Sequence, residues 1–362
     1  MGLRSVNNPK SSFEDPYAST GKDAVTPAPV PFSASGGTTH TPGNGYKYHV
    51  FDYPNSDTFV VSSGGECDIL CVAGGAGGGA GSGGSGGGAG GVAHAESFQL
   101  IAGTYPVAVG GGGAANNNNK GSTGGNSYIG SPGSALGNNP DYMLAKGGGG
   151  GAYDGGPGAP APIAVGNPGG SGGGAGASNP TNPDATQPGT NPSPDITDYG
   201  NGGGHCPPSG GPPSWPGAYR TGGGGGAGAT GSPGGGWSGG GDGGNGQPFP
   251  DFKYPLIGKS PLANPAATHV GGSPTFDHFG GGGGSSTSPL HPRAFNPADG
   301  FDPGPSNGLG GMGGGGIGSP SQAIPPATFA PGIDGLGGGG GGSRSSTAMA
   351  GGNGVVVVRY QL

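Results

Sequence analysis

The sequence predicts a mainly β protein: a small antiparallel β-sandwich, a large inserted polyglycine-II helix bundle and almost no α-helix. Three observations predict it. The chain holds 100 glycines among 362 residues, gathered in uninterrupted tracts. Short apolar segments of strand type stand only before residue 146 and after residue 354. No segment carries a convincing helical period.

Glycine comes first because ordering it is the largest cost. It loses more backbone freedom on folding than any other residue, on a scale of roughly 1–2 kcal/mol per ordered residue, and it brings no side chain to bury. Tracts such as 74–91, 222–226, 280–284 and 337–342 are therefore either flexible linkers or segments whose main chains hydrogen-bond to one another. A polyproline-II-type helix has three residues per turn, rises ~3.1 Å per residue and makes no internal hydrogen bonds. Its amides and carbonyls point outward, so helices without side chains can stand together and bond through their backbones. There is no strict G-X-Y period, which excludes collagen. Proline-rich and aromatic loops separate the tracts, serine is sparse in most of them, and a buried-strand pattern follows them. These features favour ordered packing over linkers.

Residues 1–35 read as an extended arm, because Pro9, Pro16, Pro27, Pro29 and Pro31 prevent a long helix. Within it Leu3, Val6, Phe13, Tyr17 and Val25 are hydrophobes without period. They belong either to a disordered terminus or to an anchor that lies on a partner. Residues 46–51 (YKYHVF) alternate as a half-buried strand, and 58–61 form a second after the turn Pro54-Asn55-Ser56-Asp57. DILCVA at 68–73 is apolar on both faces, which places it centrally in a sheet. HAESFQL (94–100) and TYPVAV (104–109) flank a hairpin-like break at Ala102-Gly103. With 124–129, 142–145 and the continuous apolar run 355–360, about eight strands result, enough for a two-sheet antiparallel sandwich. The chain divides into an arm (1–35), a sandwich (36–146 with 350–362) and a glycine lattice with proline-rich and aromatic loops (147–349).

Those loops hold Trp215, Tyr219, Trp237, Phe249, Phe252, Tyr254 and Phe279 among other aromatics. As structure, such rings cover the lattice ends and exclude water. As function, Trp and Tyr at exposed tips make efficient contact residues and stack on sugar faces. Trp215, Tyr219 and Trp237 are the candidate receptor contacts.

Charged residues are only 9% of the chain and the net charge is −7. That argues against a nucleic-acid partner, which would want clustered Lys and Arg. No run is long and apolar enough to span a membrane, and residues 1–30 lack the apolar stretch of a signal peptide, so synthesis in a cytoplasm without membrane insertion is expected. Cys67 and Cys71 stand on one face of a strand ~13 Å apart, too far for a disulfide without a bend.

Candidate chemistry is thin. Gly258-Lys259-Ser260 ends like a phosphate-binding loop, but Lys253 stands where the upstream glycine belongs and no strand–helix context surrounds it. His205-Cys206 has no second pair at metal-ligand spacing. His278 and His291, with Asp277 and Asp299, show no acid–base spacing, and no carboxylate pair of glycosidase type is evident. The expectation is a non-enzymatic protein with no catalytic residue, metal or cofactor.

The order strand, AGGAGG, GGVAHAESFQLIAGTYPVAVGGGG, GGNSYIG, YMLAKGGGGG and finally GGNGVVVVRY resembles glycine-rich domains of tailed-bacteriophage virion proteins. It is also similar to the extracellular glycine-rich module of anaplastic-lymphoma-kinase-type receptors, in which a sandwich like that of tumour necrosis factor carries inserted polyglycine-II helices. The match covers residues 45–151 and 350–360; the rest matches in composition only. The arm, SVNNPKSSFEDPYASTGKDAV, resembles N-termini of virion proteins of phages that infect cyanobacteria. The resemblance implies a tumour-necrosis-factor-like or jelly-roll-like sandwich in a virion protein made in the host cytoplasm. It further implies a surface fibre or adhesin held to other virion proteins by its arm, with lattice-end loops that touch a host-surface glycan or outer-membrane protein. A homotrimer is one assembly in keeping with it, a monomer another. The competing class is architectural: a capsid decoration or fibre shaft without a receptor.

Overall fold

A computed structural model describes residues 31–81, 83–116, 119–130, 142–153, 165–176, 181–206, 221–234, 240–259, 277–286, 308–319, 330–344 and 348–362. The described residues are mainly β, arranged in three antiparallel sheets, and the one helical piece among them is a 3-10 turn at Pro250–Phe252. The strands are β1 (Ser33–Ser35), β2 (Thr38–His40), β3 (Tyr46–Asp52), β4 (Asp57–Ser63), β5 (Gly65–Val72), β6 (Val92–Leu100), β7 (Gly103–Ala108), β8 (Ser127–Ile129), β9 (Met143–Ala145), β10 (Ile196–Tyr199), β11 (Gln247–Pro248), β12 (His278–Phe279) and β13 (Val355–Gln361). One sheet has the order β1-β4-β7-β8-β9, the second β10-β6-β5-β13-β3-β2, and β11 pairs with β12.

The first two sheets share a core, as in a β-sandwich. Phe51, Phe59, Ile69, Phe98, Tyr105, Ile129, Met143 and Val358 meet there. Cys67 and Cys71 lie in the same core as free, buried thiols. The six-stranded sheet is covered on its other face as well: Tyr48, Val50, Leu70, Val72, Val355 and Val357 pack against Phe249, Phe252, Tyr254, Ile257 and Phe279. Two buried faces explain why DILCVA and 355–360 read as continuous apolar runs rather than alternating ones. β5 sits between β6 and β13, and β13 between β5 and β3.

Where strand and tract adjoin, the observed limits differ from the sequence reading. β8 begins only at Ser127; Gly124 and Gly125 donate instead to Gly148 and Gly111, because a residue without a side chain gains nothing from a sheet face. Ser33–Ser35, read as the end of the arm, is an edge strand on β4. β10 lies far along the glycine-rich segment, and its four residues pair with β6.

A side-chain clamp closes one side of the sandwich. β9 is an edge strand, and its free backbone groups would be a template for pairing with another chain. Leu144 donates to Asn191 Oδ1 (2.9 Å), and its carbonyl accepts from Asn191 Nδ2 (2.8 Å) and Gln187 Nε2 (3.0 Å). Lys146 donates to Gln187 Oε1 at 2.7 Å. Both amides also donate to Asp198 on β10, so the clamp joins an edge of each sheet. Asn191→Ala is expected to lower unfolding free energy by about 1–3 kcal/mol, the cost of stranding buried polar groups. Urea unfolding checks this.

Between the strands, the glycine tracts bond to one another with a repeat of three. Ser85, Gly88 and Gly91 donate to Ala152, Gly149 and Lys146; Gly86 and Ala89 donate to Gly222 and Gly225; Gly87 and Gly90 donate to Gly340 and Gly337. Residues 281–286 repeat the scheme toward 313–316, 241–244 and 84–87. A β-strand alternates between two sides; these tracts turn to three neighbours in succession. At the glycine positions the approach leaves no room for side chains: a Cβ on Gly224 would overlap the carbonyl of Gly87.

Candidate functional site

The tracts leave the sandwich and return to it. Residues 74–79 follow β5 and 84–91 lead into β6; 110–116 follow β7 and 119–126 lead into β8; 348–354 lead into β13. Near the sheets the runs are tied by bonds such as Gly91 to Lys146, Gly280 to Leu336 and Gly354 to Gly110. At the far end Ala152 donates to Gly174, Ala175 to Gly204, Gly241 to Thr221, Ser286 to Gly84 and Ser319 to Gly342. The far-end residues flank 154–164, 177–180, 207–220, 235–239, 287–307, 320–329 and 345–347. The candidate receptor contacts Trp215, Tyr219 and Trp237 fall in these intervening segments, outside the described residues. So do the candidate anchors Leu3, Val6, Phe13, Tyr17 and Val25, in residues 1–30.

Hydroxyls knit the far end together. Ser85 Oγ bonds to the carbonyls of Gly174 (2.7 Å) and Ala152 (3.2 Å). Thr221 Oγ1 donates to Ser286 O at 2.8 Å, Ser285 Oγ to Thr221 O at 2.7 Å, and Ser286 Oγ to Gly84 O at 2.9 Å. All four side chains are fully buried. Each hydroxyl serves buried carbonyls, which are costly to leave unpaired. The sequence signal was available in part: Thr221, Ser285 and Ser286 border glycine runs, while Ser85 interrupts one.

At the sheet end, residues 249–259 form a strap over the outer face of the six-stranded sheet. Phe249, Phe252, Tyr254 and Ile257 are buried there. Phe249, Phe252 and Tyr254, grouped by sequence with the loop aromatics, thus pack on the sheet and not at the far end. Tyr254 donates to Asp334 O at 2.7 Å and Tyr48 to Asp251 O at 3.1 Å. Lys259, of the phosphate-loop lookalike, pairs with Asp52 at 2.6 Å. Arg359 of β13 reaches Asp68 at 2.7 Å and Asp251 at 3.1 Å, and its guanidinium lies 4.6 Å from the Tyr46 ring centre and 5.2 Å from that of Phe252. Burial disfavours its charge, but hydrogen bonds with Asp251, Tyr48 and Asp68 outweigh this and raise its pKa. Sequence reading missed both Arg359 and the strap, because their partners are distant in the chain: Asp68 and Asp251 lie 291 and 108 residues from Arg359, and Asp334 lies 80 residues from Tyr254.

Two histidines, His49 and His94, have their pKa values lowered first of all by burial. His49 is fully buried; its Nδ1 lies 2.7 Å from Gly36 O and its Nε2 3.3 Å from Tyr360 Oη. Nδ1 donates to the carbonyl, which leaves Nε2 to accept from the tyrosine in the neutral ring. Burial lowers its pKa, and Lys47 adds to this against the Gly36 bond. His94 is lowered too, by burial first. Both therefore favour the neutral ring in the fold, while the unfolded chain takes up protons below about pH 6.5. Stability is expected to be full above that pH and to fall as pH drops from 6.5 toward the lower folded values. Thermal melts from pH 8 to 5 check this, and His49→Gln should flatten part of the fall. Burial pushes the Cys67 and Cys71 thiols up, away from reactive thiolate.

His278 Nδ1 stands 2.8 Å from Asp277 Oδ1; His291 and Asp299 lie outside the described residues. Among the described residues, no three or more His, Cys, Asp or Glu side chains group as metal ligands, and Cys206 is buried. What the arrangement offers is a backbone-bonded array, fixed to a sandwich at one end and carrying connecting segments at the other.

Comparison with known proteins adds one result. The family model described as glycine-rich domain matches residues 54–254, which span β4 to the strap. No curated protein matches the chain.

Proposed function

Because the chain belongs to the glycine-rich domain family, we propose that it is a non-enzymatic structural protein of a phage virion, a surface fibre or adhesin. The glycine tracts form a polyglycine-II bundle, rigid because a central tract such as 84–91 donates to three neighbouring tracts and accepts from three more. The bundle holds its far-end segments out toward the host surface, where Trp215, Tyr219 and Trp237 contact a glycan or outer-membrane protein. The arm that precedes β1 attaches the chain to other virion proteins. The observation that carries the reading is the three-residue alternation of amide partners along 85–91 and 281–286. Three-residue turns with outward backbone groups produce that alternation, and at positions such as Gly86 and Gly224 a Cβ would overlap a carbonyl of the neighbouring tract. The location in a virion rests on the resemblance of the strand and tract order and of the arm.

Two measurements test it. Labelled antibody against the chain should decorate intact phage particles, and purified chain added to host cells should protect them from infection. Decoration without protection or cell binding would favour an architectural role, and absence from particles would overturn the virion reading.

A further inference from the structure

Strand β13 has an unusual position for a segment made so late. It pairs with β3 over seven registered positions, Val355↔Asp52 to Gln361↔Tyr46, and with β5 over five, Val355↔Val72 to Arg359↔Asp68. β3 and β5 do not pair with each other; β13 is the strand between them. Val355, Val356, Val357 and Val358 are all fully buried. Val356, Val358 and Tyr360 enter the core between the sheets, while Val355 and Val357 enter the core under the strap. The preceding residues belong to the array: Gly351 donates to Gly113, Gly352 to Gly338 and Gly354 to Gly110.

We propose that β13 is a keystone strand, and that neither core of the sandwich closes until residue 361 has been made. Before that, a slot about two strand spacings wide, ~10 Å, separates β3 from β5. The β2–β3 pair then has no strand linking it to β5 and β6. Each core lacks its central valines, and two strands present unpaired edges. The intervening array cannot substitute, because its glycines bring no apolar surface. Folding of the head is thereby deferred until after synthesis of the whole array, and array and sandwich close as one unit. The long separation between β5 and β13 in sequence delays the pairing further, since the loop-closure cost precedes the contact.

The test uses the full chain held on ribosomes by C-terminal linkers of two lengths. The short linker keeps 355–361 inside the exit tunnel, and the long one frees it. Limited proteolysis of each is compared with the released chain. The long-linker chain should match the released chain, and the short-linker chain should be cut at least about tenfold faster, as expected for a population without the closed state. Equal resistance at the two lengths would overturn the proposal, as would a long-linker chain that stays as sensitive as the short one. A long-linker chain carrying Val357→Asp should be cut at the fast rate; resistance in that variant would also overturn it.

Discussion

Gly224→Val is expected to destroy the folded array. Gly224 donates to Gly283 O at 2.8 Å and sits at the crossing of several tracts. A Cβ there would overlap the Gly87 carbonyl oxygen and lie 2.5 Å from the Gly87 carbonyl carbon and 2.9 Å from the Gly88 nitrogen. These are backbone atoms, so no side chain can swing aside. Relief requires the tract at 84–91 to move, and that tract is bonded to 146–152 and 337–340 as well. The loss should exceed about 4 kcal/mol, in the range reserved for disrupted cores and backbones. It should show as a collapsed melting transition and rapid proteolysis. Gly103→Ala is the control: the nearest atoms to its Cβ belong to the Tyr105 side chain, 3.5 Å away or more. It should melt within a few degrees of the parent. If Gly224→Val melted there too, packing of tracts backbone to backbone would be refuted.

Arg359→Ala should cost about 3–5 kcal/mol, the usual result of removing one partner from a buried pair. The Arg359 and Asp68 side chains are 9% and 13% exposed, which puts this pair well outside the regime of surface salt bridges. Without the guanidinium, Asp68 retains the Ser97 amide at 2.8 Å, too little to replace a cation. The strap loses the contact to Asp251, and the Tyr46 and Phe252 rings lose the plane between them. Arg359→Met with Asp68→Asn should recover part of the loss, since both charges go together. The midpoint of urea unfolding measures each variant, and a single mutant within about 1 kcal/mol of the parent would show that the pair behaves as an exposed one.

Much of the sandwich is legible in the sequence. Residues 46–51, 58–61, 68–73, 94–100, 104–109, 142–145 and 355–360 each contain or overlap an observed strand, because β-branched and aromatic residues in short runs leave few alternatives. The central placement of 68–73 followed from its having no polar face. β1, β2, β11 and β12 are two or three residues long and carry no such pattern. β10 reads ITDY, with one buried side chain among four strand residues, and is held by its partner β6 and by the clamp at Asp198.

The far side of the array was legible only as material. Glycine count and the absence of a collagen repeat pointed to bonded tracts, but no residue in GGGGG says which tract it meets. Side chains are what make one segment recognisable to another, and these segments have none. The neighbours of Gly86, Gly87 and Gly88, drawn from 222, 340 and 149, are therefore decided by where the strands at the tract ends are pinned.

By itself the sequence determined the β content, the central strands, the closure by 355–360 and the presence of glycine tracts with no chemistry of their own. Only the tertiary structure decided the partners: the strap on the outer sheet face, the Arg359–Asp68 pair, the amide clamp on β9 and which tract bonds to which. Composition and periodicity act along the chain and can be read along it. Pairing between backbones hundreds of residues apart depends on the geometry of closure, which no local pattern contains.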